Sequence, residues 1–278
     1  MRQFLCPSQP DKKGRLSLSG KDYRYLVKVL RLREGGTIDA RLPDGKLAVL
    51  RITAVGKTAV ELCLDTADSG AAVQGVKSSA IEDAFNSRLE IWLFQFMPQP
   101  QKMDLIVRQA VECGVSKIIP VAGEFSQKSD AAGRLDRWKR IAREARQQSG
   151  SPVDTEILPC VSLKEAVSFW NEYKLQSQKM SRAFLLHENP EFGMKALVDA
   201  DLRGADSVVA AIAVGAEGGI SNSEMETFNE AGFLPVHFAT NVLRTETAAL
   251  YGTAVIQQYL NFMLNDVKYI ERKKDEEN

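Results

Sequence analysis

Seven consecutive apolar residues, Val208–Val214, run directly into Gly215-Ala216-Glu217-Gly218-Gly219. A strand with one wet face alternates apolar and polar residues. An unbroken Val/Ile/Ala run instead signals burial on both faces, as in the centre of a parallel sheet covered by helices. The three glycines that follow permit conformations and close approaches that a Cβ forbids. Ser221 and Glu224 stand at capping-box spacing, so a helix opens there and runs to about Ala231. The pattern then repeats: residues 234–239 read as a strand, 241–246 as its turn, and a helix follows from about Thr247. Two such turns at the carboxyl ends of neighbouring strands make a ligand site in the open α/β plan. No Gly-Lys-Ser/Thr follows these glycines and no Gly-x-Gly-x-x-Gly fingerprint is present, which argues against the common nucleotide-binding loops.

The chain upstream divides by pattern. Residues 1–75 read as a small β-rich unit: Arg15-Leu-Ser-Leu-Ser alternates, and Pro43-Asp44-Gly45 separates two strands. One α-helix interrupts it, with Tyr23, Leu26, Val27 and Leu30 on its apolar face and Arg24, Lys28 and Arg31 on the other. Residues 1–51 hold twelve Lys/Arg against five Asp/Glu in a chain of zero net charge, an asymmetry that suits a polyanionic partner. Residues 76–87 fall in a small, polar linker region. From 88 to 264 strands alternate with helices, which indicates a second, mainly parallel α/β domain. Its most basic element is a helix over 134–148, where Arg143 and Arg146 lie among six cations. A charged tail, 265–278, is expected to fray.

Composition excludes several classes. No run of eighteen apolar residues is present, so no membrane span is expected. The four cysteines are widely spaced and the two histidines cannot complete a zinc site with them, so no metal is expected. A cytoplasmic protein with reduced thiols is the resulting expectation.

The pairing of Gly215-x-Glu217-Gly218-Gly219 with Leu243-Arg244-Thr245-Glu246-Thr247-Ala248 resembles the SPOUT superfamily of knotted RNA methyltransferases. More narrowly it is similar to the RsmE-type enzymes, which methylate N3 of a uridine in small-subunit (16S) ribosomal RNA. The likeness extends from Met1-Arg2-x-Phe4 through Tyr25-Leu-Val-Lys-Val-Leu-Arg31 to Leu260. It implies a PUA-like β-barrel for RNA binding, a trefoil-knotted, mainly parallel α/β domain and a homodimer. It also implies S-adenosylmethionine as cofactor, held by Leu186, His187 and Glu188, by Val214, Gly215, Glu217, Gly218 and Gly219, and by Val242, Leu243, Thr245 and Ala248. RNA contacts would come from Arg2, Arg24, Lys28, Arg31, Arg143 and Arg146. This chain departs from the family pattern at Ala216, usually proline, and at Ser151, usually arginine.

Uracil N3 carries a proton that must leave before or during methyl transfer, and negative charge then develops on the base. Arg244 is the candidate to stabilise that charge or to grip the adjacent phosphate. Glu246 and Glu217 are the candidate bases, and each has the alternative of capping a helix or orienting Arg244. His237 reads as a packing or surface residue. A SPOUT 2′-O-ribose methyltransferase and an inactive RNA-binding assembly factor remain the alternative functions.

Overall fold

The structure, a computed structural model, describes residues 3–65, 88–127 and 132–276. The chain forms two compact units, Met1–Asp83 with Arg146–Pro152, and Ala84–Ala145 with Val153–Asn278. The expected linker over 76–87 and Arg2 lie outside the described residues.

In the first unit five strands pair in the order β1-β3-β4-β5-β2: β1 (Phe4–Leu5), β2 (Arg15–Ser19), β3 (Thr37–Arg41), β4 (Leu47–Val55) and β5 (Ala59–Leu64). All pairings are antiparallel except β1 with β3. The alternation in β2 sends Leu16 and Leu18 into a core shared with Phe4, Leu26, Leu50, Ile52 and Leu62. Arg41 is also buried. Its guanidinium donates to Gly45 O at 2.7 Å, Gly150 O at 3.0 Å and Gln3 Oε1 at 3.2 Å. Those bonds, with Gln3 N–H to Gln147 O at 3.1 Å, explain why residues 146–152 join this unit.

The helix expected from Tyr23 to Leu30 is α-helical only over α1 (Gly20–Tyr23) and widens to a π-helix over Arg24–Val29. Leu30 N–H bonds to Tyr25 O at 2.9 Å, and Leu32 N–H reaches back to Leu26 O at 3.0 Å. Arg31, at φ 56°, ends the helix in the left-handed conformation that glycine usually takes. Periodicity misses the widening because Tyr23 and Leu26 are buried in either helix.

The second unit is a seven-stranded parallel sheet. Its strands are β6 (Leu89–Phe96), β7 (Lys117–Ala122), β8 (Glu156–Ile157), β9 (Val161–Ser162), β10 (Met180–Leu186), β11 (Val208–Val214) and β12 (Leu234–Val236). Their order is β12-β10-β11-β6-β7-β8, with β9 also paired to β7. The helices are α2 (Pro100–Glu112), α3 (Leu135–Ser149), α4 (Leu163–Gln176), α5 (Lys195–Val198), α6 (Asn222–Glu230) and α7 (Thr245–Glu276). Strand β11 is buried at every position. Val208, Ala210, Ile212 and Val214 join the core over α2, α3 and α7, while Val209, Ala211 and Ala213 join the core under α4 and α6. In register, Ala211 lies beside Trp92 and Ala213 beside Phe94, so small residues make room for large ones. Trp92 packs edge-on to Trp170 at 5.7 Å, and Phe94 to Phe233 at 5.3 Å.

Ser221 and Glu224 form the expected capping box at α6, with Ser221 N–H to Glu224 Oε2 at 2.8 Å. The last helix begins at Thr245 and continues to Glu276, through the charged tail. Glu, Lys and Arg dominate that tail and are good helix formers. Among the described residues no helix is long and apolar enough to cross a membrane.

Glu90, near the amino end of β6, accepts hydrogen bonds from Trp92 Nε1 at 2.6 Å, Lys179 Nζ at 2.7 Å and the Tyr173 hydroxyl at 2.8 Å. Burial pushes its pKa up, but these donors outweigh burial and hold it below the ordinary value of 4.5. A lowered folded pKa contributes stability that is present above the unfolded value and lost as pH falls through the folded one. Glu90→Gln should therefore be less stable than the parent at neutral pH and lose less stability on acidification. Denaturant midpoints measured from neutral pH down through the carboxylate range check this; parallel curves for the two proteins would remove Glu90 from the acid response.

Candidate active site

Strands β10, β11 and β12 all end on the same side of the parallel sheet, and three loops leave from those ends. They enclose a cleft of about 430 Å³. Leu186, His187 and Glu188 line it from the first loop. Val214, Gly215, Glu217, Gly218 and Gly219 line it from the second, and Val242, Leu243, Arg244, Thr245 and Ala248 from the third. The order β10-β11-β6 places β11 between an earlier strand and the strand that opens the domain, a point of reversal where open α/β sheets bind ligands.

The glycine loop is a closed turn. Gly219 N–H bonds to Ala216 O at 3.0 Å with Gly219 at φ +78°, and a Cβ on Gly215 would lie 2.8 Å from the Gly219 carbonyl carbon. Only glycine fits both positions without strain. Gly218 has a different constraint: a Cβ there would come within 2.7 Å of Phe125 Cβ.

Two buried polar side chains join this loop to the third one. Thr245 Oγ1 donates to Gly215 O at 2.6 Å. Gln95, fully buried, directs its amide nitrogen to Phe96 O at 2.9 Å, Thr245 Oγ1 at 3.1 Å, Gly215 O at 3.3 Å and Val214 O at 3.4 Å. Sequence reasoning did not select Gln95, although a glutamine within Leu-Glu-Ile-Trp-Leu-Phe-Gln-Phe is a polar interruption of a buried strand. Gly252 on α7 was also missed: a Cβ there would sit 2.2 Å from Leu186 Cδ1, so Leu186 reaches its place in the cleft wall only over a glycine.

Charge in the cleft is unevenly compensated. Glu217 accepts from Gln99 N–H at 3.1 Å and pairs with Lys102 Nζ at 3.0 Å. Burial opposes ionisation of Glu217, yet these two partners bring its pKa below the ordinary carboxylate value. Lys102 itself lines the cleft and was not singled out from sequence. Glu246 is absent from the lining; its Oε2 lies 3.8 Å from Lys102 Nζ. The exposed Arg244 has no side-chain hydrogen bond or ion pair among the described residues.

His187 Nδ1 accepts from Asn189 N–H at 3.0 Å, and its carbonyl lies 3.2 Å from His237 Nδ1. Burial, with His237 adding to it against Glu188, lowers the His187 pKa and so favours the neutral ring. His237 also lines the cleft, and its backbone N–H bonds to Gly193 O at 2.7 Å.

The remaining sequence candidates lie elsewhere. Arg24, Lys28 and Arg31 are exposed on the first unit, without side-chain partners among the described residues. Arg146 is turned onto the backbone, with Nε to Ser151 O and Nη2 to Pro152 O, both at 3.3 Å. Arg143 is exposed on α3. Among the described residues no cluster of His, Cys, Asp and Glu is arranged to hold a metal ion.

A parallel α/β domain with a cleft at its strand ends, carried with a small β-domain, is the plan of a two-unit ligand-binding protein. The chain belongs to the RNA methyltransferase family: residues 85–257 match the RNA methyltransferase domain and residues 18–62 the RNA methyltransferase PUA domain. It is 28% identical over 246 residues to ribosomal RNA small subunit methyltransferase E 2 of Borreliella burgdorferi, covering 86% of this chain and 89% of that one. Ribosomal RNA small subunit methyltransferase E of Aquifex aeolicus is 33% identical over 173 residues, 61% of this chain and 69% of that one. Among solved structures, ribosomal RNA small subunit methyltransferase E from Neisseria gonorrhoeae, bound to S-adenosyl methionine, superposes with a TM-score of 0.71 at 27% identity, over 93% of this chain and 97% of that one. The parallel α/β sheet and the PUA-like domain expected from sequence are both present.

The close fit at Gly252 gives a direct test. Gly252→Ala should displace Leu186 and weaken binding of S-adenosylhomocysteine, the demethylated form of that cofactor, by about tenfold, the equivalent of about 1.4 kcal/mol. Calorimetric titration reads it; an affinity equal to the parent's would show that Leu186 need not hold its place.

Proposed function

We propose that this chain is an S-adenosylmethionine-dependent methyltransferase acting on N3 of a uridine in small-subunit ribosomal RNA. The observation that carries this reading is the single cleft formed by the glycine turn and the Leu243–Ala248 stretch, held together by Thr245 and Gln95. The residues present suit such a cofactor. Leu186, Val242 and Leu243 offer apolar walls for its rings, and the side-chain-free turn at Gly215 and Gly219 leaves backbone groups open to its polar edges. When bound, S-adenosylmethionine supplies an activated methyl group.

The chain's own residues then have separable tasks. Arg244 offers a permanently charged, planar donor set at the rim, suited to the negative charge that grows on the uracil oxygens as N3 loses its proton. Glu217 is engaged by Gln99 and Lys102, and Glu246 lies outside the cleft lining, so both suit the positioning alternative better than the role of proton acceptor. Arg24, Lys28 and Arg31 supply a basic surface for phosphates, with Arg2 and Arg143 as further contacts. The proposal extends to a knotted catalytic domain, a homodimer and a cytoplasmic setting.

Mass spectrometry of small-subunit ribosomal RNA nucleosides, from cells with and without the protein, tests the function. Loss of 3-methyluridine on deletion is expected. Loss of a 2′-O-methylated nucleoside instead would favour ribose methylation, and an unchanged nucleoside profile would favour an inactive assembly factor.

Arg244→Ala should fold, bind S-adenosylhomocysteine nearly as the parent does, and lose about 100- to 1000-fold in single-turnover methylation. A parental rate at saturating RNA and cofactor would reassign Arg244 to binding. Replacing Arg24, Lys28 and Arg31 together by Gln should leave cofactor affinity intact and reduce the salt dependence of RNA binding by about 2 log units per log unit of salt, if each meets one phosphate. An unchanged slope would leave that helix as solvated surface.

A further inference from the structure

Lys102 stands at an electrostatically unfavourable place. It lies in the first turn of α2, where the helix dipole disfavours a cation, and that turn holds no acidic residue of its own. The N-cap, Gln99, makes no side-chain capping bond. Both deficits are met from another element: Glu217 Oε1 accepts from Gln99 N–H at 3.1 Å and from Lys102 Nζ at 3.0 Å. The glycine turn thereby caps α2 through its own carboxylate.

On its other side Lys102 faces Glu246, in the opening turn of α7. Glu246 Oε2 is buried without a hydrogen-bond donor, a costly state for a carboxylate oxygen, and it lies 3.8 Å from the ammonium. The three side chains are 25%, 27% and 16% exposed, so the cluster is better shielded than an ordinary surface pair.

We propose that Lys102 is a positioning residue of the methyl-transfer site, its ammonium tying the glycine turn at Glu217 to the first turn of α7 at Glu246. This deepens the methyltransferase reading and rests on it for its catalytic consequence. Thr245 and Gln95 join the two turns from inside the sheet, and Lys102 joins them from the side of α2. The two carboxylates serve this clamp. The clamp presets the cleft, so its loss acts first on cofactor binding and on the apparent cofactor KM, and less on the rate once cofactor saturates.

The test uses the full chain as Lys102→Met, Lys102→Arg, Glu217→Gln and the Lys102→Met/Glu217→Gln double variant. Lys102→Met should weaken S-adenosylhomocysteine binding by about 3- to 10-fold, the range of a partly shielded charge-assisted contact. Its cofactor KM should rise by a similar factor, with kcat within about threefold of the parent. Lys102→Arg should stay within about threefold of the parent in both affinity and KM. Glu217→Gln should weaken binding in the same direction, and the double variant should be no weaker than the worse single one. Parental affinity in folded Lys102→Met or Glu217→Gln, or additive losses in the double variant, would overturn the clamp. A collapse of kcat with cofactor KM unchanged would overturn the positioning role in favour of a direct catalytic one. Denaturant midpoints of the unliganded proteins read the Lys102–Glu217 coupling without any ligand. Should the parent bind no cofactor, the methyltransferase reading fails, while additive midpoints would sink the clamp and non-additive ones sustain it. If Lys102→Met does not fold, Glu217→Gln and Lys102→Arg carry the same decision.

Discussion

The site depends on one short hydrogen bond, from the Thr245 hydroxyl to the Gly215 carbonyl at 2.6 Å. These residues are thirty apart in sequence and begin and end different elements: Gly215 follows β11, and Thr245 opens α7. Strand ends and helix starts carry backbone groups without partners inside their own elements. Here the exposed carbonyl at the end of one element is satisfied by the first side chain of the other, and Gln95 supports both from β6. Because the Thr245 and Gln95 side chains are buried, an error in placing either loop would strand a polar group, so the loops are specified together. The cleft is the space this joint leaves open.

Electrostatics then sorts the charged residues by task. Glu217 and Glu246 gather round Lys102, and burial lowers the His187 pKa, which leaves Arg244 at the rim as a cation without a side-chain partner among the described residues. The turn at Ala216 closes through Gly219 N–H to Ala216 O without a proline, and the carbonyl of the buried Ser151 accepts from Arg146.

Much of this was legible because it is written in adjacent residues. The run Val208–Val214 reads as a strand buried on two faces, and its alternate residues do divide between two cores. Ser221 and Glu224 signal a helix start through local geometry alone. What escaped was long-range or degenerate. Nothing near Lys102 in sequence announces that its partners are Glu217 and Glu246, and nothing near Gly252 indicates that Leu186 lies across it. The π-helix over Arg24–Val29 was hidden because the apolar spacing of Tyr23 and Leu26 fits an α-helix equally well. Arg41 counts among the basic residues of positions 1–51, yet it is buried against backbone and side-chain acceptors. Charge in a sequence reports composition, and only the fold decides which charges face water.

The most direct test of the central claim, that two distant turns form one cofactor site through the Thr245–Gly215 joint, is calorimetric titration of S-adenosylhomocysteine into the parent chain and Thr245→Val. Valine keeps the shape and removes the donor. The account predicts one site per chain in the parent and about tenfold weaker binding in the folded variant, the loss expected for one buried hydrogen bond. Equal affinities would contradict it, because the two turns would then hold the cofactor without the bond that joins them.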